Sequence, residues 1–135
     1  MIFLHACSST MALEMAPKIF IVDDDAAVRS GISLLVRSCG WEPMACASAT
    51  ELFETIGEGS PACLLLDLQM PGMDGVSVQR ELVRQGFDVP VIYTTTLSDH
   101  PLVEQAITNG ARQVISKPFR PDALIDAIAK VIDPP

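Results

Sequence analysis

From Lys18 onwards, short apolar runs alternate with segments in which apolar residues recur every three or four positions. A short apolar run bounded by polar or turn-forming residues predicts a buried strand, and the longer spacing predicts an amphipathic helix. Strands are predicted over residues 19–22, 43–47, 62–66, 89–93 and 113–116. Strands that alternate with helices across short loops form a parallel sheet with helices on both faces. The pattern therefore predicts an α/β fold, a three-layer (βα)5 sandwich.

Helix-end signals support these five units. Asp25 is a good N-cap for the first helix, and Gly40 closes that helix. Ser48 and Glu51 have the spacing of a capping box at the start of the second helix. The last three helices are predicted over about 75–85, 99–108 and 121–131, with Val103, Ala106 and Ile107 at helical spacing in the fourth.

Composition narrows the class of protein. The chain has 135 residues, which suits one domain, and a net charge of −8, which argues against nucleic acid as a partner. No apolar run is long enough to span a membrane. The four cysteines are Cys7, Cys39, Cys46 and Cys63. They lack the spacing of a metal site, and three of them lie in apolar segments. We therefore expect reduced core residues of a cytoplasmic protein.

Residues 1–16 do not share the alternating pattern. They begin apolar but have no positively charged segment, which argues against a secretory signal. We expect a leader that is disordered or non-native and dispensable for the fold, followed by one domain over residues 17–133.

The segment from Ala62 to Gly75 holds the strongest candidate for chemistry. Asp67 follows a run that is apolar on both faces, as in a central parallel strand, and precedes a loop rich in proline and glycine. The carboxyl ends of parallel strands meet at one edge of the sheet, where open α/β sheets bind ligands. The residues expected at that edge are Asp23, Asp24, Asp25, Asp67, Thr94, Thr95, Thr96 and Lys117.

The acids at this edge predict a cation. Asp25 is explained as a helix cap, but Asp23 and Asp24 cannot both be caps, and next to Asp67 they would repel one another. Mg²⁺ relieves such repulsion because it prefers a few carboxylate oxygens and keeps positions open for water and phosphate. With Lys117 and a threonine hydroxyl nearby, the set suits phosphoryl transfer to a carboxylate.

With these motifs together, the sequence resembles the receiver domain of two-component response regulators over about residues 18–133. The motifs are Val22-Asp-Asp-Asp25, Leu66-Asp-Leu-Gln-Met-Pro-Gly-Met-Asp-Gly75, Thr95 and Lys117-Pro-Phe119. The resemblance implies a flavodoxin-like fold with strand order 2-1-3-4-5. It also points to the subgroup of transcription regulators in which a helix-turn-helix output domain often follows.

The resemblance implies a role for each matching residue. Asp67 would accept the phosphoryl group from a sensor histidine kinase or phosphotransfer protein. Mg²⁺ would be bound directly by Asp24, Asp67 and the main-chain carbonyl of Gln69, and by Asp23 either directly or through water. Thr95, Thr96 and Lys117 would contact the phosphoryl oxygens, and the peptide bond before Pro118 would be cis. Such a domain is a switch that catalyses only its own phosphorylation and dephosphorylation.

Two positions depart from the family pattern. Relatives usually have alanine or glycine where this chain has Thr96, and an aromatic switch residue where it has Val114. In relatives that ring moves on phosphorylation and remodels the face of helix 4, strand 5 and helix 5, a possible homodimer surface. Here the face would carry Val114 with Ile125 and Ile132 as exposed apolar residues, so the usual output mechanism is in question.

Three other readings compete with the phosphorylated switch. A non-phosphorylated pseudo-receiver would act only as a protein-docking module, although this chain keeps the acids, Thr95 and Lys117. A haloacid-type phosphatase needs a second aspartate two residues after the nucleophile, where Gln69 stands. A flavodoxin needs a phosphate-binding loop after the first strand, and that loop is acidic here.

Overall fold

The computed structural model describes residues 16–59, 61–96 and 101–132. The expected leader lies outside the described residues except for Ala16. The strands are β1 (Lys18–Val22), β2 (Glu42–Cys46), β3 (Cys63–Asp67), β4 (Val91–Thr95) and β5 (Gln113–Ser116). The helices are α1 (Ala26–Ser38), α2 (Ala49–Gly59), α3 (Gly75–Arg84), α4 (Pro101–Thr108) and α5 (Pro121–Ile132).

All strand pairs are parallel, and the sheet order is β2-β1-β3-β4-β5. The predicted fold class and strand order are therefore confirmed. β3 lies at the centre, and all five of its residues are buried. This explains why its sequence is apolar on both faces, since helices cover a parallel sheet on both sides.

Alternate strand residues supply two separate cores. Phe20 and Val22 of β1 lie in the core beneath α2, α3 and α4, and Ile19 and Ile21 lie in the core beneath α1 and α5. The helix residues in these cores have helical spacing, as predicted; they include Leu52, Ile56, Val78 and Leu82 on one side and Ile32, Val36, Leu124, Ala127 and Ile128 on the other.

Strand limits differ from the prediction by one or two residues. The second strand ends at Cys46, one residue earlier than the apolar pattern indicated. The third ends at Asp67, one residue later. The fourth begins at Val91 rather than residue 89, because Pro90 has no N–H to donate, although its carbonyl accepts a hydrogen bond from Leu64 N at 2.9 Å. Thr94 and Thr95 are therefore the last residues of this strand and not part of the loop after it.

Both predicted helix-start signals are present. The Asp25 carboxylate accepts hydrogen bonds from Ala27 N at 2.9 Å and Val28 N at 3.3 Å. Ser48 Oγ accepts from Glu51 N at 3.2 Å, while the Glu51 carboxylate accepts from Ala47 N at 2.7 Å instead of from Ser48 N. The second helix thus begins with a shifted form of the capping box. The proposed start of the fourth helix at Asp99 lies outside the described residues.

Three apolar side chains lie elsewhere than expected. Ile107 is 60% exposed, because Ala106 is at the centre of the α4 contact with the sheet and the next residue is rotated by about 100°. Ile132 packs against the core beneath α1 and α5, and Ile125 is half-buried, so neither is fully exposed.

The cysteines in the described part of the chain are free thiols. Cys46 and Cys63 are buried and Cys39 is half-buried; Cys7 lies outside the described residues. Burial raises the pKa of Cys63 to about 12. Among the described helices, none combines the length and apolar composition that crossing a membrane requires.

Candidate functional site

The register of the sheet brings the acidic residues together. β1 and β3 are neighbours, and Val22 pairs with Leu66, so the residues after each of them meet at the carboxyl edge. One carboxylate oxygen from each of Asp23, Asp24 and Asp67 lies within 4.8 Å of the other two. This edge therefore holds three carboxylates in one small volume.

Asp23 is held rigidly inside this cluster. Asp23 is only 1% exposed. Its Oδ1 accepts a hydrogen bond from Asp25 N at 2.9 Å, and its Oδ2 accepts one from Lys117 Nζ at 2.7 Å. Its main-chain carbonyl accepts from Arg29 Nη1 at 2.6 Å. Asp24, in contrast, is exposed, so the cluster is open to solvent at this residue.

Asp67 is the last residue of β3 and is 7% exposed. Its Oδ1 accepts from Gln69 N at 3.2 Å, and its Oδ2 lies 3.6 Å from Lys117 Nζ. Burial raises the pKa of Asp67; the charge of Lys117 opposes this shift, and the neighbouring Asp23 and Asp24 add to it. A cation that binds here would favour the ionised carboxylate.

Lys117 is fixed by the strand pairing next to it. Its N–H donates to Thr95 O at 2.7 Å, directly beyond the Thr95–Ser116 pair of β4 and β5. Burial by itself would lower the pKa of Lys117, but the hydrogen bond to Asp23 and the charges of Asp67 and Asp23 outweigh it and raise the pKa. The Lys117–Pro118 peptide bond is cis.

The remaining predicted site residues have different environments. Thr95 is 1% exposed at the end of β4, whereas Thr96 is exposed beside Lys117. Gln69 is also exposed, two residues after Asp67. Val114 is half-buried and pairs with Tyr93 of the neighbouring strand.

The donor set fits a hard divalent cation. It consists of oxygens from three carboxylates, and two of these, Asp23 and Asp67, lie 2.7 Å and 3.6 Å from the Lys117 ammonium group. Mg²⁺ binds through one or two carboxylates and retains water at its other positions, which the exposed Asp24 side permits. The acidic cluster is therefore compatible with metal binding.

Sequence reasoning missed two groups that support the site. Arg29 lies one turn into α1 and holds the Asp23 carbonyl; a basic residue four positions after the N-cap Asp25 was the available signal. Tyr93 is fully buried, and its hydroxyl lies 3.0 Å from Gly75 O and 2.7 Å from Gln79 Oε1. The sequence gives no signal for this second arrangement, because it depends on how α3 packs on the sheet.

The sequence matches a known protein family. Residues 19–129 match the family model of the response regulator receiver domain. The chain is 36% identical over 124 residues to nodulation protein W of Bradyrhizobium diazoefficiens, covering 92% of this chain and 52% of that protein. It is 42% identical over 110 residues to response regulator protein TmoT of Ectopseudomonas mendocina, covering 82% of this chain and 50% of that protein.

One solved structure is similar to this chain in both fold and sequence. The receiver protein of a response regulator from Burkholderia phymatum superimposes with a TM-score of 0.75 at 37% identity, covering 86% of this chain and 94% of that one. The chain spans about half the length of the two curated relatives above.

Proposed function

The chain belongs to the response regulator receiver domain family, and from this premise we propose that Asp67 accepts a phosphoryl group in the presence of Mg²⁺. The donor is a phosphohistidine of a sensor histidine kinase or a phosphotransfer protein. As a receiver domain the protein is a signalling switch, and its only catalysis is its own phosphorylation and dephosphorylation.

One observation carries this proposal: a mostly buried carboxylate lies beside a lysine and within 4.8 Å of two further carboxylates. A docking module would not need this arrangement, because three carboxylates so close together repel one another. Phosphoryl transfer does need it, since that chemistry depends on positioning and on the neutralisation of charge.

The chain's own groups divide the chemistry between them. A carboxylate oxygen of Asp67 attacks the phosphorus, the phosphorus–nitrogen bond breaks, and the donor imidazole leaves. The Lys117 ammonium group and the Thr95 hydroxyl bind phosphoryl oxygens, and the exposed Thr96 offers a further donor. Asp23, Asp24, Asp67 and the Gln69 carbonyl would hold Mg²⁺, which neutralises charge on the transferring group when bound.

A groove next to the site suits the donor protein. It has a volume of 570 Å³, lies between α1 and the loop after β5, and includes Lys117 in its lining. Its wall is largely apolar, with contributions from Val28, Ile32 and Phe119. A helix of the donor bound here would bring its phosphohistidine to Asp67 while burying apolar surface.

The wider assignment extends this proposal to the rest of the protein. The domain covers residues 17–133, consistent with the family match over residues 19–129, and residues 1–16 form a dispensable leader. The location is the cytoplasm, and this domain by itself does not bind nucleic acid.

Intact-protein mass spectrometry after incubation with acetyl phosphate tests the acceptor. With Mg²⁺ we expect one added phosphoryl group, and we expect none with EDTA or in Asp67→Asn. Asp25→Asn is the matched control, because Asp25 lies in the same acidic loop and asparagine caps a helix equally well. That variant should be labelled like the wild type.

The failed outcomes have different meanings. Equal labelling of Asp67→Asn would show that the acceptor is another residue. If the wild type is not labelled and also does not bind beryllofluoride with Mg²⁺, the protein is a docking module and the proposed function is wrong.

A further inference from the structure

A buried hydroxyl connects β4 with the helix that comes after the phosphoacceptor loop. Tyr93 is 0% exposed, and its Oη lies 2.7 Å from Gln79 Oε1 and 3.0 Å from the Gly75 carbonyl oxygen. Both acceptors are in the first two turns of α3, so the single hydroxyl hydrogen is shared between them. The buried ring thus fixes α3 to the sheet through a polar contact.

At one end, this connection touches the backbone of the phosphoacceptor. Gly75 N donates to Leu68 O at 2.9 Å, which closes the loop after Asp67. A Cβ at Gly75 would lie 2.7 Å from Tyr93 Cε1 and 2.9 Å from the Asp67 carbonyl oxygen. The ring, Gly75 and the Asp67 main chain are therefore packed so closely that a shift of the loop must move the ring or α3.

At the other end, the connection reaches the residue directly after α4. Gln79 is 8% exposed, and its Nε2 donates to the main-chain carbonyl of Asn109 at 3.3 Å. Asn109 Nδ2 is buried and has no hydrogen-bond partner among the described residues. Leaving a buried donor without a partner costs free energy, so a rearrangement at Asn109 that gives its Nδ2 a partner would be favourable.

We propose that the Tyr93 hydroxyl is a positioning group that transmits the state of Asp67 through Gln79 to Asn109 and the end of α4. This inference rests on the proposed function, because it concerns the structural response to phosphorylation. Tyr93 pairs in register with Val114, so a large aromatic side chain lies next to the small one at the switch position. In this path no ring moves between buried and exposed positions; instead, a hydrogen-bonded side chain holds α3 and α4 to the sheet.

Hydrogen exchange with and without Mg²⁺ and beryllofluoride tests the path. In the wild type we expect exchange to change in residues 75–79 and in residues 107–111. Tyr93→Phe removes only the hydroxyl and should still bind beryllofluoride. Its response in residues 107–111 should fall about fivefold, the factor that corresponds to one net hydrogen bond.

Two variants separate coupling from stability. Thr55→Val is the matched control: it removes a hydroxyl that donates to Glu51 O at 2.9 Å within α2, and its response in residues 107–111 should remain that of the wild type. Gln79→Met removes the link to Asn109 while leaving Tyr93 beside Gly75. It should keep the response in residues 75–79 and lose that in residues 107–111, and it replaces Tyr93→Phe if that variant does not fold.

The outcomes distinguish this inference from the proposed function. A wild type that does not bind beryllofluoride would contradict the proposed function. The inference is wrong, and the proposed function stands, if Tyr93→Phe or Gln79→Met binds beryllofluoride normally and its hydrogen-exchange response in residues 107–111 equals that of the wild type.

Discussion

Lys117 is the residue that allows three acids to share one edge of the sheet. Its ammonium group is 2.7 Å from Asp23 Oδ2 and 3.6 Å from Asp67 Oδ2. Because both carboxylates are buried, removing the lysine would leave two charges without their partner, which is more costly than losing an exposed ion pair. Asp67→Asn is the cleaner substitution for function, since it removes one of the repelling charges.

Tyr93 allows a direct optical test of the network, because it is the only tyrosine in the chain. Burial raises its pKa above the ordinary value of about 10. The folded state therefore keeps the proton that the unfolded state loses, so stability falls as pH rises above about 10. Near-ultraviolet absorbance should show phenolate only when circular dichroism shows unfolding, and Tyr93→Phe should lose less stability over the same range. Phenolate that appears near pH 10 in the folded protein would contradict the burial of this hydroxyl.

The sequence predicted residues with local roles better than residues whose role depends on packing. Asp25 could be identified as a helix cap because capping depends on neighbouring residues. The meeting of Asp23, Asp24 and Asp67 also followed from the alternation of strands and helices. The contact of Tyr93 with α3 could not be predicted, since it depends on the depth at which the helix packs on the sheet.

At the level of elements, the start of α3 is the most restricted point near the site. A Cβ at Gly75 would be 2.7 Å from a ring that its own hydrogen bonds hold in place, and 2.9 Å from main-chain oxygen. Gly31, within α1, has no atom within 4 Å of a Cβ built on it. These two helical glycines therefore form a matched pair.

We predict opposite effects on the free energy of unfolding for this pair. Gly75→Ala should lower it by about 1–3 kcal/mol, because neither the ring nor the backbone can move freely. Gly31→Ala should raise it by up to about 1 kcal/mol through helix propensity. Urea unfolding measures both values, and a neutral or stabilising Gly75→Ala would show that the contact between Tyr93 and α3 is loose.

Strand limits illustrate what the apolar pattern cannot decide. The apolar pattern indicated that β4 ends at Tyr93, yet Thr94 and Thr95 pair with Asp67 and Ser116 inside the sheet. β-branched side chains suit a strand even when they carry a hydroxyl. The apolar pattern therefore predicted where the strand lies, but its last residue depends on backbone pairing with the neighbouring strands.

For the whole molecule, the order of strands and helices was predictable because each unit buries one face against the same sheet. The outer surface was less predictable. Ile107 shares the helical spacing of the apolar residues of α4 but is 60% exposed, and Ile132 was expected on the surface but packs, half-buried, against a core. In a helix of eight residues, such as α4, a small rotation decides which apolar side chain is left outside.

The surface formed by α4, β5 and α5 is the candidate for a homodimer. It carries the exposed Ile107 and the half-buried Val114 and Ile125. A valine has one side-chain torsion and a small side chain, so it cannot move a ring between buried and exposed positions. Phosphorylation can shift dimerisation only by the difference in affinity that it makes between the two states. Without that ring, one source of the difference is missing.

We therefore predict a modest change in association when Mg²⁺ and beryllofluoride are added: less than about tenfold in the dimer dissociation constant, which corresponds to about 1.4 kcal/mol. Sedimentation equilibrium measures the constant in both states. Ile107→Glu should abolish any dimer that uses this surface, while Leu34→Glu changes a similarly exposed apolar residue on α1 and should leave the dimer intact. A shift from pure monomer to tight dimer would mean that the surface switches fully with valine at position 114, and that loop and helix movements are sufficient to drive it.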